Sequence, residues 1–151
     1  MSIFWLVLAS GFQAATGIPD LDPGVLTDTE KVQLDRERSV ESRIRIYSGV
    51  SARFQETIKQ DFQQKTFDKI PNKLTSWLKL LTHSLQDIEK NVDRKKKSKN
   101  LIHCEIQLRK ALAEIKEYRL KSPQDLDPEY EAFLTQAEVV RRTFVDILFL
   151  R

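Results

Sequence analysis

From Leu26 onward, apolar residues recur every three or four positions, and that spacing admits one kind of backbone. Side chains three and four apart share a face of an α-helix, whereas a half-buried strand would alternate strictly. Four stripes of this kind run in succession. The first is Ile44, Tyr47, Val50 or Ser51, Phe54, Ile58 and Phe62; the second is Leu74, Trp77, Leu78, Leu81, Leu85, Ile88 and Val92. The third is Leu101, Cys104, Leu108, Ala111, Ile115 and Tyr118; the fourth is Tyr130, Phe133, Leu134, Ala137, Val140, Phe144, Ile147 and Leu148. Gly49 weakens the first helix without breaking it. Gly and Pro number only four and five, and most of them precede residue 25, so the remainder lacks the turn chemistry of an all-β protein.

The punctuation between stripes sets the boundaries. Thr27 followed by Glu30 is a capping box that starts a short leading helix, whose apolar pattern fades in Asp35-Arg36-Glu37-Arg38. A longer helix begins near Ser39 and runs to about Gln64. Pro71, after Asp68-Lys69-Ile70, suits the first turn of the next helix. The second and third stripes are out of phase: extending one at its own spacing lands on Lys95, Lys99, Ile102, Ile106 and Arg109. A turn or a register slip therefore falls within Asp93–Asn100, and a helical hairpin with Ser98 or Asn100 as N-cap is preferred. Ser122–Pro128 is a second break, with Asp127 as cap and Pro128 in the first turn. Each stripe needs a partner to bury it, which predicts an all-α fold: an antiparallel bundle of about four amphipathic helices plus the short leading helix. Residues 26–151 form one domain; the chain is too short for two good cores.

The first residues read differently. Ile3–Phe12 is uncharged and mostly large and apolar, but shorter than the ~20 residues a spanning helix needs. Small residues follow, and Ala15-Thr16-Gly17 fits a cut after Gly17. Residues 1–17 are therefore expected to be a secretory signal peptide and residues 18–25 a linker rich in Pro, Gly and Asp. Met1-Ser2 offers only an α-amino group where a signal usually carries positive side chains. The alternative is an N-terminal helix packed on the domain. With cleavage, the protein is periplasmic or extracellular. Its single Cys104 excludes an internal disulfide, and at apolar spacing it is expected to be a buried thiol.

Catalytic and ligating patterns are missing from the sequence. The residues three before His83 and His103 are Leu80 and Asn100, so the Glu-x-x-His of carboxylate di-metal bundles is absent. His103-Cys104-Glu105 are consecutive and point about 100° apart on a helix, so they do not converge on one ion. Both histidines are expected to be ordinary and partly exposed. Gly-rich phosphate loops, nucleophile elbows and His-Glu-x-x-His do not occur. No cofactor, metal or small-molecule substrate is expected, and the chain is read as non-catalytic.

Charge is distributed unevenly. Residues 71–122 hold thirteen Lys/Arg against six Asp/Glu, net +7, while residues 123–151 hold three against six, net −3. The concentrated part is Arg94, Lys95, Lys96, Lys97 and Lys99, a candidate contact for an anionic surface or another protein. It carries no interleaved aromatics for base stacking, which argues against nucleic acid. The apolar end, Val145 with Ile147-Leu148-Phe149-Leu150, holds more apolar faces than one stripe requires.

Leu-Thr steps occur at Leu26-Thr27, Leu74-Thr75, Leu81-Thr82 and Leu134-Thr135, the first as Leu-Thr-x-x-Glu ending at Glu30. That stretch resembles the Leu-Thr-x-x-Gln signature of the Spy/CpxP-like periplasmic helical proteins. The resemblance spans five residues, with Glu30 in place of Gln, and carries no binding residues across. It implies an exported, basic, all-helical protein and, as a function, ATP-independent chaperoning or stress sensing. The leading expectation is a non-catalytic exported bundle that contacts another macromolecule or serves structurally. A third reading is an intracellular basic protein that touches nucleic acid through its lysine run.

Overall fold

The computed structural model describes residues 21–149; the expected signal peptide and the first part of the linker lie outside the described residues. Five α-helices follow in order: α1 (Asp28–Arg36), α2 (Val40–Gln63), α3 (Ile70–Asn91), α4 (Lys99–Lys121) and α5 (Asp127–Phe149). Short 3-10 turns at Phe67–Lys69 and Gln124–Leu126 lead into α3 and α5. No strand occurs among the described residues, and the fold is the all-α bundle that the apolar spacing predicts.

Local chemistry explains where each helix starts and stops. Thr27 Oγ1 accepts the Glu30 amide at 3.1 Å while Glu30 Oε1 accepts the Thr27 amide at 2.9 Å, closing the expected capping box on α1. Ser39 and Ser98 each accept an amide three residues on, at 3.1 and 3.0 Å, and so cap α2 and α4. At the end of α2 the Thr66 amide donates to the Asp61 carbonyl at 2.9 Å and the Lys65 amide to the Phe62 carbonyl at 3.2 Å. This pair of bonds is a Schellman motif, and it places Lys65 at φ 59°, a position that usually belongs to glycine. Pro71 sits in the first turn of α3, as its fixed φ favours. Asp127 departs from expectation. It is the first residue of α5, and its carboxylate is taken by Arg119 at 2.7 and 2.9 Å instead of capping the helix.

Consecutive long helices run antiparallel, but sequence neighbours are not always spatial neighbours. α2 packs on α3 and α4, and α5 packs on the same two. α3 and α4 therefore occupy opposite corners of the bundle, and the turn between them crosses its end. Named contacts fix the directions. Arg43 early in α2 meets Asp87 late in α3, and Glu105 early in α4 meets Arg141 late in α5, so both pairs are antiparallel. Phe62 and Tyr118, each late in its helix, stack with centroids 4.4 Å apart, so α2 and α4 are parallel. Trp77 and Phe133, each early, lie 4.9 Å apart, so α3 and α5 are parallel too.

The core follows the stripes. Trp77 is fully buried between Phe54 and Phe133, and its indole N–H donates to Ser51 Oγ at 2.8 Å. That bond settles the buried position shared by Val50 and Ser51, since both are inside. Leu80 and Leu112, outside the expected stripes, are buried as well. Cys104 is buried, and burial pushes its thiol pKa up, with a Ser48 hydrogen bond opposing in part. In α1 no residue is buried; its segment is anchored through Val25, 1% exposed, just before the helix.

Candidate functional site

The basic run occupies the turn between α3 and α4, and the bundle builds that turn deliberately. Val92 leaves α3 in an extended conformation, its amide still bonded to the Ile88 carbonyl at 3.0 Å. Asp93 then folds the chain back, accepting the Lys95 amide on its side chain at 2.9 Å and the Lys96 amide on its carbonyl at 3.2 Å. Ser98 is buried and does two jobs: it caps α4 and donates to Glu41 Oε1 of α2 at 2.8 Å. Asn100 adds hydrogen bonds to the Glu41 carbonyl and carboxylate at 3.2 and 3.3 Å. The acids of the turn are thus spent on its shape. Arg94, Lys95, Lys96, Lys97 and Lys99 are all exposed, and none takes part in an ion pair among the described residues. Turn backbone and caps hold five like charges facing water at one end of the molecule.

A second feature escaped the sequence reading. Residues 21–37 arch over α2 and α3 and leave a cleft of about 480 Å³ between, lined by Leu21, Leu26, Lys31, Leu34, Tyr47 and His83. Beneath it, Arg43 forms a bidentate pair with Asp87, Nε to Oδ2 at 2.7 Å and Nη2 to Oδ1 at 2.8 Å. Its remaining nitrogen Nη1 donates to the carbonyls of Glu37 and Arg38, at 3.2 and 2.9 Å. Tyr47 donates to Asp87 Oδ2 at 2.5 Å, and Asn91 to Oδ1 at 2.7 Å. Burial by itself would raise the Asp87 pKa, but the hydrogen bonds from Arg43, Tyr47 and Asn91 outweigh it and hold the carboxyl below its ordinary value. Tyr47 is pushed well up, by burial first and then by its bond to the carboxylate.

This cluster is a mechanical tie. Arg43 joins the end of the α1 segment to α3, and every polar atom in the pair is already committed to a neighbour. His83 corrects an expectation: it is 6% exposed, edge-on to the Tyr47 ring at 5.9 Å, where a partly exposed histidine was predicted. His103 is exposed on α4, at the opposite corner from α3, so the two histidines are not brought together. Among the described residues, no three His, Cys, Asp or Glu side chains gather as a metal set. No described helix is long and apolar enough to cross a membrane.

The other expected residues divide. Glu105, outside the apolar stripe of its helix, is nevertheless buried and accepts Arg141 at 2.9 Å and Arg109 at 3.4 Å. At the apolar end of α5, Ile147 is buried and Leu148 half-buried against the core, while Phe149 is 72% exposed; Leu150 lies outside the described residues. The Leu-Thr steps act locally: Thr27 caps α1, and Thr75 Oγ1 donates to the Pro71 carbonyl at 3.1 Å. No family model, curated protein or solved structure matches the chain.

Proposed function

We propose that this chain is an exported helical-bundle protein that acts without catalysis, by contact with an anionic macromolecular partner through its Arg94–Lys99 end. The observation that carries the reading is the exposed turn itself: five cations without an ion pair among the described residues, presented on a backbone braced by Asp93, Ser98, Asn100 and Glu41. A solvated loop needs no such bracing, and bound partner charges release counterions from the run as from any polycation. The buried polar cluster under the cleft supports the non-catalytic part, because its capacity is spent on joining α1, α2 and α3. Export rests on the uncharged apolar run Ile3–Phe12 followed by the small residues up to Gly17.

Two measurements test this. Cells expressing the full chain are fractionated and the product weighed intact; a species beginning near Ile18 in an exported fraction is expected. A full-length cytoplasmic species would overturn export and bring the intracellular nucleic-acid reading forward. Retention on immobilised heparin, a generic polyanion, is expected to fall steeply with salt and to fall further in Lys95→Gln/Lys96→Gln/Lys97→Gln. Equal retention of that variant would remove the turn from the binding surface.

A further inference from the structure

Resting on the reading of the basic end as a contact surface, we infer that this end docks on an anionic phospholipid surface, with Phe149 entering the interfacial layer. The topology supplies the juxtaposition. Arg141 pairs with Glu105, which fixes the relative height of α5 and α4. Eight residues of α5 beyond Arg141 rise ~12 Å, and the six residues of α4 back to Lys99 rise ~9 Å. Phe149 therefore stands level with the Lys-rich turn. The turn crosses from the α3 corner to the α4 corner, and α5 packs on both of those helices, so the exposed ring and the cations share one end of the bundle.

A lipid surface asks for this combination. Lysines near an anionic bilayer each contribute about 1 kcal/mol, roughly fivefold in affinity, through long-range attraction that needs no directional pairing. An apolar ring adds interfacial burial that a purely polar partner cannot offer. The cations are four lysines and one arginine, point charges suited to phosphate head groups, where bidentate readout would favour arginine. Nucleic acid fits less well, because the ring stands on a separate helix and none is interleaved with the run for successive bases. An acidic protein fits less well too: Val145 and Leu148 are half-buried, so among the described residues of this end Phe149 is an isolated exposed knob, not the apolar centre of an interface.

The test is flotation of the domain with vesicles of phosphatidylcholine alone or mixed with phosphatidylglycerol, beside heparin retention. Binding is expected only to the mixed vesicles. Lys95→Gln/Lys96→Gln/Lys97→Gln should lose about 100-fold in affinity. Phe149→Ala should lose about tenfold for vesicles while its heparin retention stays unchanged. These side chains are exposed, so unchanged helicity by circular dichroism is expected for each variant. Heparin retention without vesicle binding would overturn the lipid assignment and leave the basic end a contact for another polyanion. Failure of both would overturn the basic end as well, and vesicle binding indifferent to Phe149→Ala would overturn the inserted ring.

Discussion

Asp87 accepts hydrogen bonds from three side chains on two helices, and its carboxylate is fully buried, with Arg43 as its bidentate ion-pair partner. Removing one partner of such a pair costs more than the pair contributes, because the other charge stays buried. Asp87→Asn should destabilise the fold by about 3 kcal/mol in denaturant titrations. The pH signature follows from the sign of the shift. The folded carboxyl lies below its ordinary 3.8, so its contribution is complete above that pH and is lost as pH falls through the lower folded value. Acid unfolding of the native chain should therefore be steepest between 3.8 and that lower value, and Asp87→Asn should flatten that limb; an unchanged acid limb would show that the tie does not govern it. Lys65 makes the opposite case. A side chain at φ 59° costs ~1–2 kcal/mol, glycine returns about half of that as added unfolded-state entropy, and Lys65→Gly should gain ~0.5 kcal/mol. Lys65→Val, β-branched at the same φ, should lose stability in the same assay.

Helix α1 is held differently from the other four. It buries none of its residues; apart from Leu34, half-buried against the core, and Val25 just before the helix, its ties are polar: Arg53 to Glu30 at 2.7 and 2.8 Å, Arg53 to the Val25 carbonyl at 2.9 Å, and Lys79 to Asp22 at 2.6 Å. Elements held this way open locally, well below the global unfolding free energy. Amide hydrogen exchange should show α1 exchanging ahead of α2–α5, and Arg53→Ala should speed exchange in residues 25–36 alone. Equal protection across all five helices would contradict this. Boundaries of this kind were legible in the sequence, because caps and prolines act over three or four residues: Thr27, Ser39, Ser98 and Pro71 stand where they were expected. The basic turn was legible for the same reason. Asp127 was not, since the local rule that makes it a cap yields to Arg119, eight residues back on the neighbouring helix. Nor were Arg43, Asp87 and Glu105, charged residues whose burial depends on partners 36 or 44 positions away. Phe149 gains its significance only from the corner of the bundle that α5 occupies.

For the whole molecule, position matters more than sum. The chain carries a formal net charge of +3, yet the Lys-rich turn concentrates its excess at one end, while the other end mixes Lys65, Lys69 and Lys121 with Asp68, Asp125 and Glu129. Two variants of equal net charge should therefore behave unequally. Replacing Lys95, Lys96 and Lys97 by Gln should shift elution from a cation exchanger to markedly lower salt than the same change at Lys110, Lys116 and Lys121, all exposed. Identical elution would mean that net charge alone decides. The diagonal course of the α3–α4 turn also bears on how the molecule assembles. α2 with α3, and α4 with α5, are local antiparallel hairpins closed by short loops, whereas the parallel contacts between them, such as Phe62–Tyr118 and Trp77–Phe133, join residues 56 positions apart. Loop-closure entropy favours the local pairs over the contacts between them, which divides the bundle into two hairpin halves. The segment from Val92 to Ser98 is the sole covalent link between those halves, so an exchange of hairpins between two copies would have to open there, at the expense of the Ser98 and Asn100 bonds to Glu41.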